Sequence, residues 1–293
     1  MAPQPPLVSA HWLSENLFDD RLIVIDSSVE IYERDDGLKD SRPRYSEYLE
    51  QHIPGAVFAD LLNDFSIQRP NARFGIPRTE EFEQAASALG VSNSSRIVVY
   101  SSADIFWATR LWWLFRYFGH NYVSILNGGL QTWNSEGLEV RPGKETNPTG
   151  SFAAAAQNHR LATKDDVLAI VKARESDAVI VDVLSPEYFR GNLGNIYGYR
   201  RLGHIAGAMN IPISSISGND PTCITSTKTI EALVAEKIGD KHRPVITYCG
   251  GGIAATQMAL ALETAGYENV RVYSGSLQEW SADPSLPMST GEI

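Results

Sequence analysis

One motif occurs twice in this chain, and it constrains the fold more than any other feature. His52-Ile53-Pro54-Gly55-Ala56 returns as His204-Ile205-Ala206-Gly207-Ala208. Upstream of each copy lies an apolar run ending in aspartate, at 22–26 and 178–182, and downstream Ile97-Val98-Val99-Tyr100 answers Val245-Ile246-Thr247-Tyr248. Further on, Gly128-Gly129-Leu130-Gln131-Thr132-Trp133 answers Gly275-Ser276-Leu277-Gln278-Glu279-Trp280. Four matches in the same order imply a duplicated unit. A chain of 293 residues is long enough for two domains, each with its own core.

Within each half, short β-rich runs alternate with helical patterns. The runs are 22–26, 97–100 and 123–126, then 178–183, 245–248 and 270–273. Helical spacing covers 79–89 and 104–118, then 163–174, 227–237 and 253–265. The alternation predicts an α/β fold of two tandem domains, each a mainly parallel sheet covered by helices on both faces. Such sheets bind ligands beyond the carboxyl ends of their strands, where a strand feeds a helix. Residues 142–157 are rich in Gly, Pro, Thr, Asn and Ala, show no sustained period, and read as the linker between domains 1–141 and 158–293. The tail after Trp280 carries two prolines and reads as irregular.

Composition narrows the partners. Apolar residues make up 43% and charged residues 20%, an ordinary balance for a globular protein and too apolar for disorder. A formal net charge of -10 argues against nucleic acid, so any anionic substrate has to be attracted by local arginines. No apolar run is long enough to span a bilayer, and the Pro-rich residues 1–7 lack the layout of a signal peptide, so neither a membrane partner nor export is expected and a cytoplasmic location fits. The two cysteines, Cys223 and Cys249, make neither a disulfide framework nor a zinc site, and no metal or organic cofactor is expected.

The chemistry concentrates at Tyr248-Cys249-Gly250-Gly251-Gly252-Ile253-Ala254-Ala255-Thr256. A strand ends at Tyr248, three glycines follow, and a helix begins near Ile253. Glycines let successive N–H groups turn inward, and the helix start adds unpaired N–H groups and the positive end of its dipole. Such a turn favours a sulfur anion at Cys249, with residues 250–255 as its cradle. Cys223, in Pro221-Thr222-Cys223-Ile224-Thr225, has no such turn and reads as incidental. A phosphate-binding P-loop would need a Gly-Lys-Ser/Thr ending, which is absent. A cysteine phosphatase would need an arginine six residues after the nucleophile, where this chain has Ala255.

Taken together, the two HIxGA segments, Arg110-Leu111-Trp112-Trp113, the Gly-Gly-Leu…Trp segment and the cysteine loop resemble the tandem-domain rhodanese family, which includes thiosulfate and 3-mercaptopyruvate sulfurtransferases. The likeness covers nearly the whole chain. It implies a catalytically inactive first domain, in keeping with Ser101 standing at the position of Cys249. Features present in both halves read as structural, since only one half has the cysteine: His52 with His204, Asp26 with Asp182, and Trp133 with Trp280. The Trp112, Trp113, Phe115 and Phe118 cluster reads as packing.

The resemblance also frames the sulfur donor. Thiosulfate-type loops carry Arg and Lys directly after the cysteine, where this chain has Gly250 and Gly251. Mercaptopyruvate-type loops resemble Cys-Gly-Ser/Thr-Gly-Val-Thr-Ala, of which Cys249, Gly250 and Gly252 are kept. Relatives place a first-domain aspartate and histidine nearby, and these positions fall on Asp60 and Phe74. Two substrate-binding arginines fall on Tyr188 and Tyr197, with Arg190, Arg200 and Arg201 close in sequence. The resemblance thus implies a sulfurtransferase in which Cys249 takes a sulfur atom from a small anionic donor, thiosulfate or a mercaptopyruvate-like thiol compound, as a persulfide. A small thiol, cyanide or a thioredoxin-like dithiol then accepts it. The alternatives are a persulfide carrier serving a partner protein and, disfavoured by Ala255, a phosphatase-like hydrolase.

Overall fold

The computed structural model describes residues 5–173 and 175–291. Arg174, the last residue of one expected helix, and the extreme ends of the two expected domains lie outside them.

The duplication is written into the backbone. The first half builds a five-stranded parallel sheet in the order Leu7–Val8, Val123–Leu126, Arg96–Tyr100, Leu22–Asp26, Val57–Phe58. The second repeats that order with Leu161–Ala162, Val270–Tyr273, Val245–Tyr248, Val179–Asp182 and Met209–Asn210. The central strands are near-continuous runs of Ile, Val and Tyr because helices cover both sheet faces. The α/β architecture expected from the alternation is the one observed.

Two helices join the halves. Ile105–Tyr117 follows the strand that ends at Tyr100, and Ala254–Thr264 follows the strand that ends at Tyr248. Both are buried nearly all round, so neither has a face for water, and each supplies the other's cover. They touch through Thr109 Oγ1 and Thr256 Oγ1, 2.9 Å apart, and one apolar core runs through both domains. Trp112, Trp113, Phe115 and Phe118 lie within it.

The repeated features are structural in both copies. His52 Nδ1 lies 2.8 Å from the Tyr48 carbonyl and His204 Nδ1 2.7 Å from the Phe189 carbonyl. Asp26 accepts the Ser28 N–H and Asp182 the Leu184 N–H, each at 2.8 Å, so both aspartates tie down the loop after their strand. The Trp133 and Trp280 indoles donate to the Glu139 and Pro287 carbonyls.

Three features depart from the sequence expectation. The tail is not wholly irregular, since Met288–Ser289 pairs antiparallel with His204–Ile205. Residues 142–157 contain no helix or strand, but they are fastened to the first domain: Gly150 donates to Ser87, Ala155 to Phe118 and Gln157 to Tyr117. Two antiparallel hairpins, Val29–Glu33 with Lys39–Pro43 and Ile67–Arg69 with Ala72–Gly75, extend from the first domain. No helix among the described residues is long and apolar enough to cross a membrane.

Candidate active site

Cys249 sits at the carboxyl end of Val245–Tyr248, with only 3% of its surface exposed. Its N–H donates to Ser276 Oγ (3.1 Å), its carbonyl accepts from Leu277 N–H (3.0 Å), and the Gly250 carbonyl accepts from Gln278 N–H (2.9 Å). The loop is thereby clipped to a second turn. Ser276, the one non-glycine residue with positive φ among the described residues (+52°), occupies the position where the first domain has Gly129 (+50°). That strained conformation costs about 1 kcal/mol or more, offset by the bond from Cys249 and by the bond Ser276 Oγ donates to the Tyr273 carbonyl (2.8 Å).

Each glycine of the loop has a different reason to be there. Gly252 has φ +83°, and a Cβ on it would lie 2.3 Å from the Ser274 carbonyl oxygen. Its N–H donates to Cys249 Sγ at 3.1 Å, so this amide holds the sulfur. A Cβ on Gly250 would lie 1.8 Å from the Tyr199 hydroxyl, and one on Gly251 would lie 3.0 Å from the Phe74 ring. Gly250 and Gly251 are therefore not merely uncharged. Aromatic groups from elsewhere occupy the space their side chains would fill.

The helix begins at Ala254 with Ile253 as its N-cap. Cys249, Gly250, Gly251, Ile253 and Ala254 line a cleft of about 330 Å³ between the domains. Of the expected cradle, Gly252 and Ala255 do not line it. Ala255 is fully buried behind the loop, and its carbonyl accepts from Thr247 Oγ1 at 2.9 Å.

The first domain supplies the opposite wall. Arg73 and Phe74 come from one hairpin, Lys39 and Ser41 from the other, and Phe106 and Trp107 from the interdomain helix. The Arg73 N–H donates to Gln278 Oε1 (2.8 Å) and the Lys39 N–H to the Ile196 carbonyl (2.7 Å), which pins both hairpins across the boundary. Beneath the loop lies Arg110, fully buried, donating to the Gly252 carbonyl (3.2 Å), the Phe74 carbonyl (2.7 Å) and Ser274 Oγ (3.3 Å). Burial lowers the Arg110 guanidinium to about 10, so it stays charged at neutral pH. Among the described residues it has no carboxylate in ion-pair reach.

The expected substrate residues divide. Tyr188 and Tyr197 line the cleft, joined by Tyr199, with ring centroids 5.7 and 5.9 Å apart along the row. Arg190, Arg200 and Arg201, expected near the donor, do not line the cleft. Arg190 ends the Pro186–Arg190 helix, and the Arg200 N–H donates to Ser281 Oγ. The Arg201 guanidinium is committed to the carbonyls of Trp280, Ser281, Asp283 and Leu286. Asp60 is also absent from the cleft. Its Oδ1 accepts the Leu62 and Asn63 N–H groups, a turn-forming role, and it lines a separate hollow with Tyr45 and Tyr48. Sequence reasoning missed Lys39, Arg73 and Tyr199. The signal for the first was present: Asp36-Gly37, with φ +77° at Gly37, is a hairpin turn signature between the strands that carry Lys39 to the cleft.

The position of Cys249 in the first domain is closed. Ser101 is buried, and the second-domain loop around Cys223 covers its turn: Ile105 N–H donates to the Pro221 carbonyl, Gly128 N–H to the Thr222 carbonyl, and Asn127 and Ile224 exchange two bonds. Burial pushes the Cys223 thiol above its ordinary value.

Comparison with known proteins agrees with this geometry. The model of the rhodanese-like domain matches residues 9–136 and again 163–283. The chain is 33% identical over 283 residues to the 3-mercaptopyruvate sulfurtransferase of Escherichia coli, covering 96% of each. It is 32% identical over 295 residues to the sulfur carrier protein TtuD of Thermus thermophilus, covering 98% of this chain and 97% of that one. The crystal structure of SseA from Escherichia coli, described among 3-mercaptopyruvate sulfotransferases, superposes with a TM-score of 0.80 at 32% identity, covering 93% of this chain and 99% of that one.

Proposed function

The chain belongs to the rhodanese-like family as a two-domain member, and on that premise we propose that it transfers sulfur through a Cys249 persulfide. It is a rhodanese-type sulfurtransferase. The cysteine thiolate attacks the sulfur of a small anionic donor. For a mercaptopyruvate-like donor the carbon–sulfur bond breaks, its electron pair passes to the carbon fragment, and that fragment takes up a proton. The outer sulfur stays on Cys249 as a persulfide. A thiophilic acceptor (cyanide, a small thiol or a thioredoxin-like dithiol) then attacks the outer sulfur, and the sulfur–sulfur pair returns to Cys249 as thiolate. The division of labour we propose follows the boundaries 1–141 and 158–293: the first domain is catalytically silent and forms a wall, and the second carries the nucleophile.

The observation that carries this reading is the Gly252 N–H on Cys249 Sγ beside an interdomain cleft, with buried Arg110 donating to the Gly252 carbonyl. The cleft also supports a donor preference. Phe74, Phe106, Trp107 and three tyrosines stand in its wall and no side chain projects from Gly250 or Gly251, so a dianion such as thiosulfate finds little to balance its second charge. A singly charged, carboxylate-bearing thiol compound suits it better.

The test compares kcat/KM for 3-mercaptopyruvate and thiosulfate, with cyanide as acceptor. The reading expects the former to be favoured by at least about tenfold, and a strong preference for thiosulfate would contradict it. The likeness to TtuD supports a second reading, in which a partner protein loads Cys249. Under that reading neither small donor is turned over, while a persulfide-bearing protein transfers sulfur to Cys249.

A further inference from the structure

The cleft contains one cation without an ion-pair partner among the described residues. Two basic side chains line it, Lys39 and Arg73, and no carboxylate lines it among the described residues. Arg73 is spoken for, since its guanidinium pairs with Asp40 and also donates to the Ser41 carbonyl. Lys39 has no carboxylate in ion-pair reach among the described residues. Its ammonium lies 5.9 Å from the centroid of the Tyr197 ring. The backbone around it is fixed, because its N–H donates to the Ile196 carbonyl across the domain boundary at 2.7 Å and its strand pairs with Val29–Glu33. Lys39, half-buried, is thus held in the cleft wall by an element of the first domain.

A second, independent feature lies in the same wall. Tyr188 is nine-tenths buried, lines the cleft, and has a hydroxyl with no hydrogen-bond partner. A buried phenol left without an acceptor costs on the order of 1–3 kcal/mol, a cost that an acceptor on a bound molecule would relieve. Tyr188 stacks toward Tyr197 (5.7 Å between centroids), and Tyr197 is the ring beneath Lys39, so the unused hydroxyl and the unused ammonium flank one row of rings.

We infer that Lys39 and the Tyr188 hydroxyl bind the carboxylate of the sulfur donor, so that the first domain supplies the charge the cysteine loop lacks. The inference rests on the reading of Cys249 as the sulfur acceptor, and it adds the residues that choose the donor. Charge matching follows: one cation without an ion-pair partner suits one carboxylate, and the aromatic row offers an apolar surface to the donor's carbon skeleton.

The experiment separates this inference from the function it builds on. The Cys249 peptide is followed by mass while the protein is alkylated with iodoacetate, a carboxylate, or iodoacetamide, its neutral counterpart. In the wild type the ratio of the two rates should exceed that of a free thiol. In Lys39→Met the ratio should fall about tenfold with the iodoacetamide rate within about twofold of wild type. Lys39→Arg should restore most of it, and Tyr188→Phe should lower it by a smaller factor. In turnover, Lys39→Met should raise KM for 3-mercaptopyruvate and leave kcat nearly unchanged. An unchanged alkylation ratio in Lys39→Met overturns the inference even if Cys249 accepts sulfur normally. A fallen ratio in a protein that takes no sulfur from 3-mercaptopyruvate upholds the carboxylate site and overturns the donor reading instead.

Discussion

At the residue scale, the Tyr199 hydroxyl stands where a side chain on Gly250 would go, and Phe74 crowds the corresponding space at Gly251. From sequence alone those positions look like missing charges. In the fold they are sites where the chain gives up a side chain so that aromatic groups can close over the sulfur. Gly250→Ala should therefore slow sulfur uptake and destabilise the protein by about 1–3 kcal/mol, the usual cost of overpacking. Tyr199→Phe removes the hydroxyl that the new methyl would meet, so the double variant should recover part of the loss. Stopped donor assays and urea unfolding of both single variants and the double variant measure this coupling. Strict additivity would mean that the two groups do not meet. Cys223→Ser should leave turnover within about twofold of wild type, because that thiol belongs to the loop over the Ser101 turn of the first domain and lies outside the cleft.

At the scale of elements, the strand–loop–helix unit that carries Cys249 depends on its neighbour strand Val179–Asp182. The Asp182 carboxyl is buried, and burial holds it up at about 7, against an ordinary value of 3.8. The folded state therefore keeps this proton over a range in which the unfolded chain releases it. Its contribution is fully present below about 4 and is lost as pH rises toward 7. Asp182→Asn keeps an oxygen for the Leu184 N–H and removes the titration. Relative to wild type, the variant should gain stability on the order of a few kcal/mol between pH 4.5 and 7.5, with most of the change complete by the upper end. Denaturant midpoints across that range provide the check, and a pH-independent difference would show that Asp182 does not titrate in this window. The central strands and the two interdomain helices were legible in the sequence because each is a long apolar run or a helix without a polar face. The Lys39 hairpin was not, because Lys39–Pro43 has no apolar residue before Pro43 and Val29–Glu33 is largely exposed and too short to set a period. Only the Asp36-Gly37 turn marked it. Arg190, Arg200 and Arg201 looked plausible for the opposite reason: nearness in sequence to Tyr188 and Tyr197 says nothing about which way a side chain leaves its loop.

At the scale of the whole molecule, duplication has made two domains that complete each other. The first lends the second its hairpins, Arg110 and the aromatic wall, and the second closes the Ser101 turn of the first with the loop around Cys223. Because one apolar core runs through the interface of Ile105–Tyr117 with Ala254–Thr264, the halves should unfold together. Calorimetry should give a single transition, and two well-separated ones would show that the domains are energetically independent. The resemblance to a sulfur-transfer family, visible in paired motifs along nearly the whole sequence, became chemical only when the fold set the Gly252 amide on Cys249 sulfur and brought Arg110 beneath the loop.

The central claim is that sulfur resides on Cys249 between donor and acceptor, and a single-turnover mass measurement on the Cys249 peptide tests it most directly. The purified protein is mixed with 3-mercaptopyruvate in the absence of acceptor, quenched, and digested without reductant. The account expects the peptide to gain one sulfur atom, to lose it when cyanide is added, and to gain none when Cys249 is serine. A protein that consumes donor while this peptide never gains sulfur, or a Cys249→Ser variant that keeps turning over, would contradict it.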